Sequence, residues 1–238
     1  MQTKADIQYF GRDLEAMSFA ENYHQWILDE FEQYIGEHLL EVGAGTGNFT
    51  RYLLKRKPSS LMAIEPSDNM YPLLEQRLGD EQSVYTYKGY FTQTCRTLDT
   101  TPDTVFYINV LEHIEYDADE LLHVHDTLAS GGHVCIFVPA LQWLYGNADK
   151  AVGHYRRYHK QPLENLLRSA NFEVVKIKYF DIAGIIPWWL IFKVFGKDTV
   201  PGGQVSIYDR VIVPVMRRIE SHLSPPIGKN LLIVGRKL

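Results

Sequence analysis

Three glycines at two-residue spacing close the run Leu39-Leu40-Glu41-Val42-Gly43-Ala44-Gly45-Thr46-Gly47-Asn48-Phe49-Thr50, between an apolar strand and a helix. A strand that ends in such a loop and opens on a helix is a nucleotide-cofactor site. The spacing separates two cofactor classes. A dinucleotide site asks for G-x-G-x-x-G, whose third glycine lets the helix pack closely while its N-terminus faces a pyrophosphate. Here the order is G-x-G-x-G, and Asn48 stands where that third glycine would fall, which disfavours a nicotinamide oxidoreductase. The acid at the strand end, Glu41, sits badly beside a diphosphate and well beside an ammonium group. A second apolar segment, Leu61-Met62-Ala63-Ile64-Glu65, ends in a carboxylate that follows Gly43 by 22 positions. In a β-α-β unit that distance brings an acid to the two ribose hydroxyls, which a carboxylate accepts as a pair of hydrogen bonds.

The elements that must hold these residues follow one continuous β/α alternation, without linker, repeat or low-complexity segment. Trp26, Ile27, Phe31, Tyr34 and Ile35 fall on helical spacing within an amphipathic helix over 18 to 35. After the strand into Gly43, Thr46 to Arg56 reads as the first crossover helix, closed by Lys55, Arg56, Lys57 and Pro58. Pro66 and Ser67 begin a helix through Arg77, and strands follow at Val84 to Tyr87 and Val105 to Ile108. Asp119 to Leu128 is a helix that stops before Gly131-Gly132. His133 to Val138 is a near-continuous apolar run ended by Pro139, as suits a buried central parallel strand. Phe172 to Tyr179 and Asn230 to Gly235 supply two late strands. Seven strands in this rhythm predict an α/β, doubly wound sheet.

The 238 residues suit one such domain with an elaboration. A net charge of -5 carries no general polyanion-binding signature, which disfavours a nucleic-acid substrate. Cys95 and Cys135 form neither a disulfide framework nor a C-x-x-C metal site. The first thirty residues are dotted with Lys4, Asp6, Arg12, Asp13, Glu15 and Glu21, unlike a signal peptide, so the expected location is cytoplasmic.

The glycine run resembles motif I of class I S-adenosylmethionine (SAM)-dependent methyltransferases, whose cofactor carries a free ammonium and no phosphate. Asp103-Thr104-Val105-Phe106-Tyr107-Ile108-Asn109-Val110-Leu111-Glu112-His113-Ile114 is similar to the strand-four motif of the small-molecule methyltransferases that include the quinone O-methyltransferases. Leu128-Ala129-Ser130-Gly131-Gly132-His133 resembles the turn that family places before strand five. The likeness is strong over about residues 35 to 140 and rests on element order elsewhere. It implies a Rossmann-like seven-stranded sheet with the last strand antiparallel, capped by N-terminal and C-terminal helical lid elements. In that reading 1–35 is a helical cap and 36–140 the SAM-binding core. Residues 141–228 hold the acceptor loop, strand six and a helical insert, and 229–238 the terminal strand.

The resemblance implies that Glu41, Gly43, Gly45 and Gly47 hold the methionine part of SAM, that Glu65 holds the ribose, and that Pro66, Asn109 and Val110 also contact the cofactor. Where many family members carry an acid after strand three, this chain has Lys88-Gly89-Tyr90-Phe91, so Tyr90 or Phe91 is expected to stack on adenine. His113, just past strand four, is the first candidate for a base that takes a proton from the acceptor. In Gly153-His154-Tyr155-Arg156-Arg157-Tyr158-His159, His154 is expected to face His113, and Tyr155, Arg156 and Arg157 to meet the acceptor, an arginine gripping a carboxylate or phosphate.

Some relatives, including the small-RNA 3'-end methyltransferases, bind a divalent ion with a Glu-x-x-Glu-His motif and a later histidine. Here the first carboxylate is Asn109, an amide that weakens a hard-cation site, so no metal is expected. Tyr9, Phe10, Met17, Phe19 and Tyr23 suit a lid over the cofactor. Ile182 to Phe192, with Trp188 and Trp189, is strongly apolar but holds Pro187 and meets Lys193 long before the ~20 residues of a membrane span. It reads as part of a helical hairpin or, with Trp188 toward the acceptor, as a tunnel or lipid-contacting surface. A second helical stretch, Val211 to Leu223, follows Pro201-Gly202-Gly203. The expectation is a SAM-dependent methyltransferase acting on an oxygen, or secondarily a nitrogen, of a small molecule. The alternatives are a metal-assisted enzyme for a lipid-linked, glycan or quinone precursor, and a SAM-binding module without chemistry.

Overall fold

A computed structural model describes residues 20–79, 81–194, 196 and 202–238, with the side chains of 202–204 left aside. Seven strands form one sheet: β1 (His38–Val42), β2 (Ser60–Glu65), β3 (Val84–Lys88), β4 (Thr104–Ile108), β5 (His133–Pro139), β6 (Phe172–Phe180) and β7 (Asn230–Lys237). Their order across the sheet is β3-β2-β1-β4-β5-β7-β6. β1 pairs in parallel with both β2 and β4, and β7 runs antiparallel to β5 and β6. The chain order reverses on either side of β1, so β1 and β4 flank the switch point where an open α/β sheet binds its ligand, beyond the strands' carboxyl ends.

Alternation along the strands divides the apolar side chains between two cores. Leu40, Met62, Val105 and Val134 pack on one face with Leu121 and Val124 of the helix Asp117–Thr127 and Leu163 and Leu167 of Lys160–Ser169. Leu39, Leu61, Phe106 and Cys135 pack on the other with Trp26, Ile27 and Phe31 of the helix Glu21–Phe31 and Leu53 of Thr50–Leu54. Both faces are covered, which is why the central strands read as continuous apolar runs.

Three helices start later or end sooner than their spacing predicts. The first ends at Phe31 and passes through a 3-10 turn at Glu32–Tyr34. The crossover helix begins at Thr50, because Gly47 has φ +79° and cannot belong to it. The helix after β2 begins at Tyr71, and Ser67, before it, gives its N–H to the Glu65 carboxylate at 2.8 Å. The predicted lid residues Tyr9, Phe10, Met17 and Phe19 lie outside the described residues. Tyr23 is no lid: it is buried, with its hydroxyl bonded to Asp181 at 3.2 Å and Asn230 at 3.0 Å.

The insert between β6 and β7 leaves and rejoins the sheet at the paired residues Phe180 and Asn230. Its helices are Ile185–Trp188, running on as a π-helix over Trp189–Val194, and Gly202–Ile207, running on through a π-helix at Tyr208–Ile212 into Val213–Glu220. Three buried carboxylates pin it. Asp209 accepts the N–H groups of Asn22 at 3.0 Å and Tyr23 at 2.8 Å, capping from a distance a helix whose own N-cap residue, Ala20, offers no side-chain bond. Glu220 accepts the N–H groups of Asp181 and Ile182, and Asp181 takes an ion pair from Lys229 at 3.0 Å. Among the described residues no helix is long and apolar enough to cross a membrane.

Candidate active site

The glycine loop turns through positive φ at all three positions, +70° at Gly43, +57° at Gly45 and +79° at Gly47. A side chain at Gly43 would meet Val110, whose Cγ2 lies 2.5 Å from where a Cβ would stand. That approach joins the ends of β1 and β4, and Asn109, itself at φ +54°, makes the turn that delivers Val110. Asn48 accepts a bond from Arg77 at 2.9 Å, and Arg77 also holds the Thr46 carbonyl at 2.7 Å. The residue in the place of a third glycine is thus a strut for the loop.

Two carboxylates face this loop from neighbouring strands. Glu65 accepts the N–H groups of Gly45 and Ser67, each at 2.8 Å, and its remaining lone pairs leave it able to take two hydroxyl donors. Glu41 is buried, and its Oε2 has no hydrogen-bond partner among the described residues. Burial, reinforced by the nearby Glu65 charge, pushes its pKa up to about 8 although Thr50 opposes the shift. An orphaned buried acid beside a loop that spares room for backbone approach fits an ammonium-bearing ligand, because the ammonium would supply both the missing donors and the countercharge.

Of the two predicted adenine rings, Phe91 is 2 % exposed and belongs to the core with Met62 and Ile64. This corrects the expectation for Phe91. Tyr90, 47 % exposed, is the ring left at the surface after β3. Lys88 pairs with Asp68 at 2.5 Å. Pro66 is half-buried between Glu65 and Ser67.

Past β4, a 3-10 turn at Leu111–His113 brings His113 to within 4.6 Å of His154, ring centre to ring centre, edge to face. His154 Nδ1 lies 2.9 Å from the Asp149 carboxylate, and its Nε2 lies 3.7 Å from Glu112 Oε1. Glu112 is fully buried, and neither of its carboxylate oxygens is hydrogen-bonded among the described residues. Burial pushes its pKa up to about 7, against the pull of His154 and Arg157. Burial together with the neighbouring His154 pushes His113 down to about 3, so it is neutral at neutral pH and a weaker base than an ordinary imidazole. Burial alone would raise Asp149, yet the hydrogen bond from His154 and the charge of Arg157 hold it below its ordinary value.

The acceptor-loop arginines are already engaged. Arg157 is buried, bonds Asp149 at 2.8 Å and the Ala140 carbonyl at 3.3 Å, and its guanidinium lies 4.7 Å from the Trp188 ring centre. Arg156 bonds Asp117 and the Glu115 carbonyl, each at 2.7 Å. The expectation that one of them grips an acceptor anion is therefore replaced: both brace the loop. Trp188 packs on Arg157, while Tyr155 stays half-exposed. Sequence reasoning missed Asp149 altogether and saw Glu112 only as a metal ligand. The available signal was small, an acid three residues after Gly146, where it accepts the Gly146 N–H at 2.9 Å at the start of the helix Asn147–Ala151. Glu112, His113 and His154 present ligand atoms within 4.8 Å of one another, so they are also the donor set a cation would find.

A seven-stranded sheet with its last strand antiparallel, carrying this loop and its two acids beyond β1 and β2, defines the class I SAM-dependent methyltransferase fold. The methyltransferase-domain family model matches residues 15–177, and the chain belongs to that family. A SAM-dependent methyltransferase structure from Archaeoglobus fulgidus superposes with a TM-score of 0.61 at 17 % identity, covering 94 % of this chain and 99 % of that one. A Haloferax volcanii protein solved in complex with the Trm112 methyltransferase activator gives 0.62 at 16 % identity, with 94 % of each chain covered. The tRNA U34 carboxymethyltransferase of Ectopseudomonas mendocina is 28 % identical over 153 residues, 59 % of this chain and 46 % of its own length. This chain spans less than half the length of the curated relatives it matches.

Proposed function

We propose that the enzyme methylates an oxygen, or secondarily a nitrogen, of a small-molecule acceptor, and that His154 takes the acceptor's proton. Glu41 and the glycine loop would hold the methionine part of SAM, Glu65 the ribose, and Tyr90 a face of the adenine. SAM, when bound, supplies a methyl carbon already activated by sulfonium. The chain's own tasks are then to align the acceptor and to remove a proton. The observation that carries the reading is the His154–Asp149 contact at 2.9 Å, with Glu112 buried on the other side of the ring. Asp149 fixes the imidazole and, with Glu112, stabilises the imidazolium formed when a hydroxyl loses its proton. His113, held neutral, is suited to accept a hydrogen bond and orient that hydroxyl. The net charge of -5 supports a small acceptor over RNA, although a relative's name includes tRNA.

Replacing His154 with Ala is expected to lower turnover by roughly 10²- to 10⁴-fold and leave SAM affinity unchanged. Equal loss of both would assign His154 to the cofactor. A second reading, a divalent cation on Glu112, His113 and His154, is favoured by the convergence of those three side chains. Full turnover by metal-stripped protein in excess chelator excludes it.

A further inference from the structure

The helix that runs from Gly202 to Glu220 presents Ile207, Val211, Val215 and Ile219 to solvent, one at every fourth position, and the exposed Leu223 follows just past its end. Residues four apart share one face of a helix, so these make a single apolar stripe. Soluble surfaces rarely leave such a stripe without a use. Its charges are sorted with equal regularity. The acids of the described insert, Asp181, Asp209 and Glu220, are all buried and committed to N–H, hydroxyl or ammonium donors. The bases Arg210 and Arg218 are exposed. A helix with an apolar stripe flanked by arginines and carrying no outward acid is built to lie in the plane of a lipid interface. The first helix of the same insert repeats the composition, with Ile186, Trp189 and Lys193 exposed.

We propose that this insert seats the enzyme on an anionic lipid surface, the stripe entering the headgroup boundary and the arginines meeting lipid phosphates. A second copy of the chain is the poorer occupant. A two-fold contact would set the same patch against itself and bring Arg210 and Arg218 near their own copies, with no outward acid from this helix to pair them. The protein as a whole is acidic, at -5, so general electrostatic attraction would oppose adsorption elsewhere on its surface.

The test is flotation of the full-length protein with vesicles of phosphatidylcholine alone and of phosphatidylcholine mixed with phosphatidylglycerol. The wild type is expected to float with the mixed vesicles, less so as salt rises, and not with the neutral ones. Two double variants, Val211→Asp with Val215→Asp and Arg210→Glu with Arg218→Glu, should each cut partitioning by roughly tenfold or more. These residues are exposed and outside the catalytic and cofactor sites, so unchanged SAM affinity shows that both variants are folded. Absence of wild-type flotation on mixed vesicles, or flotation that survives both double variants, overturns the proposal. So does a dimer in sedimentation velocity that Val215→Asp dissociates while vesicles are ignored.

Discussion

Among the described residues, Glu41 and Glu112 are the two buried acids whose carboxylates lack hydrogen-bond partners on at least one oxygen, and the proposed function sets them at the two halves of the reaction. Glu41 waits for a cation. Glu112, pushed up to about 7 by burial, changes charge in the range where the enzyme must work. Under the proposed function its ionised form would stabilise an imidazolium at His154, so turnover is expected to be highest above about pH 7 and to fall as pH drops through that value. Glu112→Gln should move that acid limb and lower the plateau; a limb that persists unchanged in the variant would place the titrating group elsewhere. His113 does not contribute to this limb, since it stays neutral down to about pH 3. Both histidines and all three glycines were legible in the sequence, because their types and spacing are tied to one chemistry. Asp149 was not, because an acid five residues before a histidine means nothing until a short helix folds it back.

At the scale of elements, all seven strands were legible from apolar runs and their punctuation, and helix boundaries were less so. The glycine loop, with Gly47 at positive φ, delays one helix start, and a φ angle leaves no trace in hydrophobic periodicity. The same holds for the cap that Asp209 provides to Glu21–Phe31, across more than 180 residues of chain. Asp209→Ala would leave the Asn22 and Tyr23 N–H groups without their acceptor. The expected cost is about 2 to 4 kcal/mol of unfolding free energy in urea, with part recovered by Asn. A loss indistinguishable from zero would mean that water takes over both donors and that the insert is not fastened there. Trp188 on Arg157, and Arg157 on Asp149, connect this same insert to the histidine pair. The acceptor loop is thereby held by braces that the sequence reading had assigned to the substrate.

For the molecule as a whole, sheet order decides where chemistry can occur. The reversal about β1 gathers Glu41, Glu65, Asn109 and His113 at the carboxyl ends of three strands that are far apart in sequence. One end of the sheet therefore carries both Glu41 and Glu65 and the histidine pair, and the insert departs from β6 at that end as well. The proposed function requires SAM to bind with its ammonium on a carboxylate that burial keeps protonated in the free protein. Calorimetric titration with SAM at pH 7, in buffers of differing ionisation enthalpy, tests it directly. With Glu41 held at about 8, binding should release about one proton, and the release should vanish in Glu41→Gln while affinity falls by roughly 10- to 100-fold. SAM binding without proton release, or with affinity that Glu41→Gln leaves intact, would contradict the account.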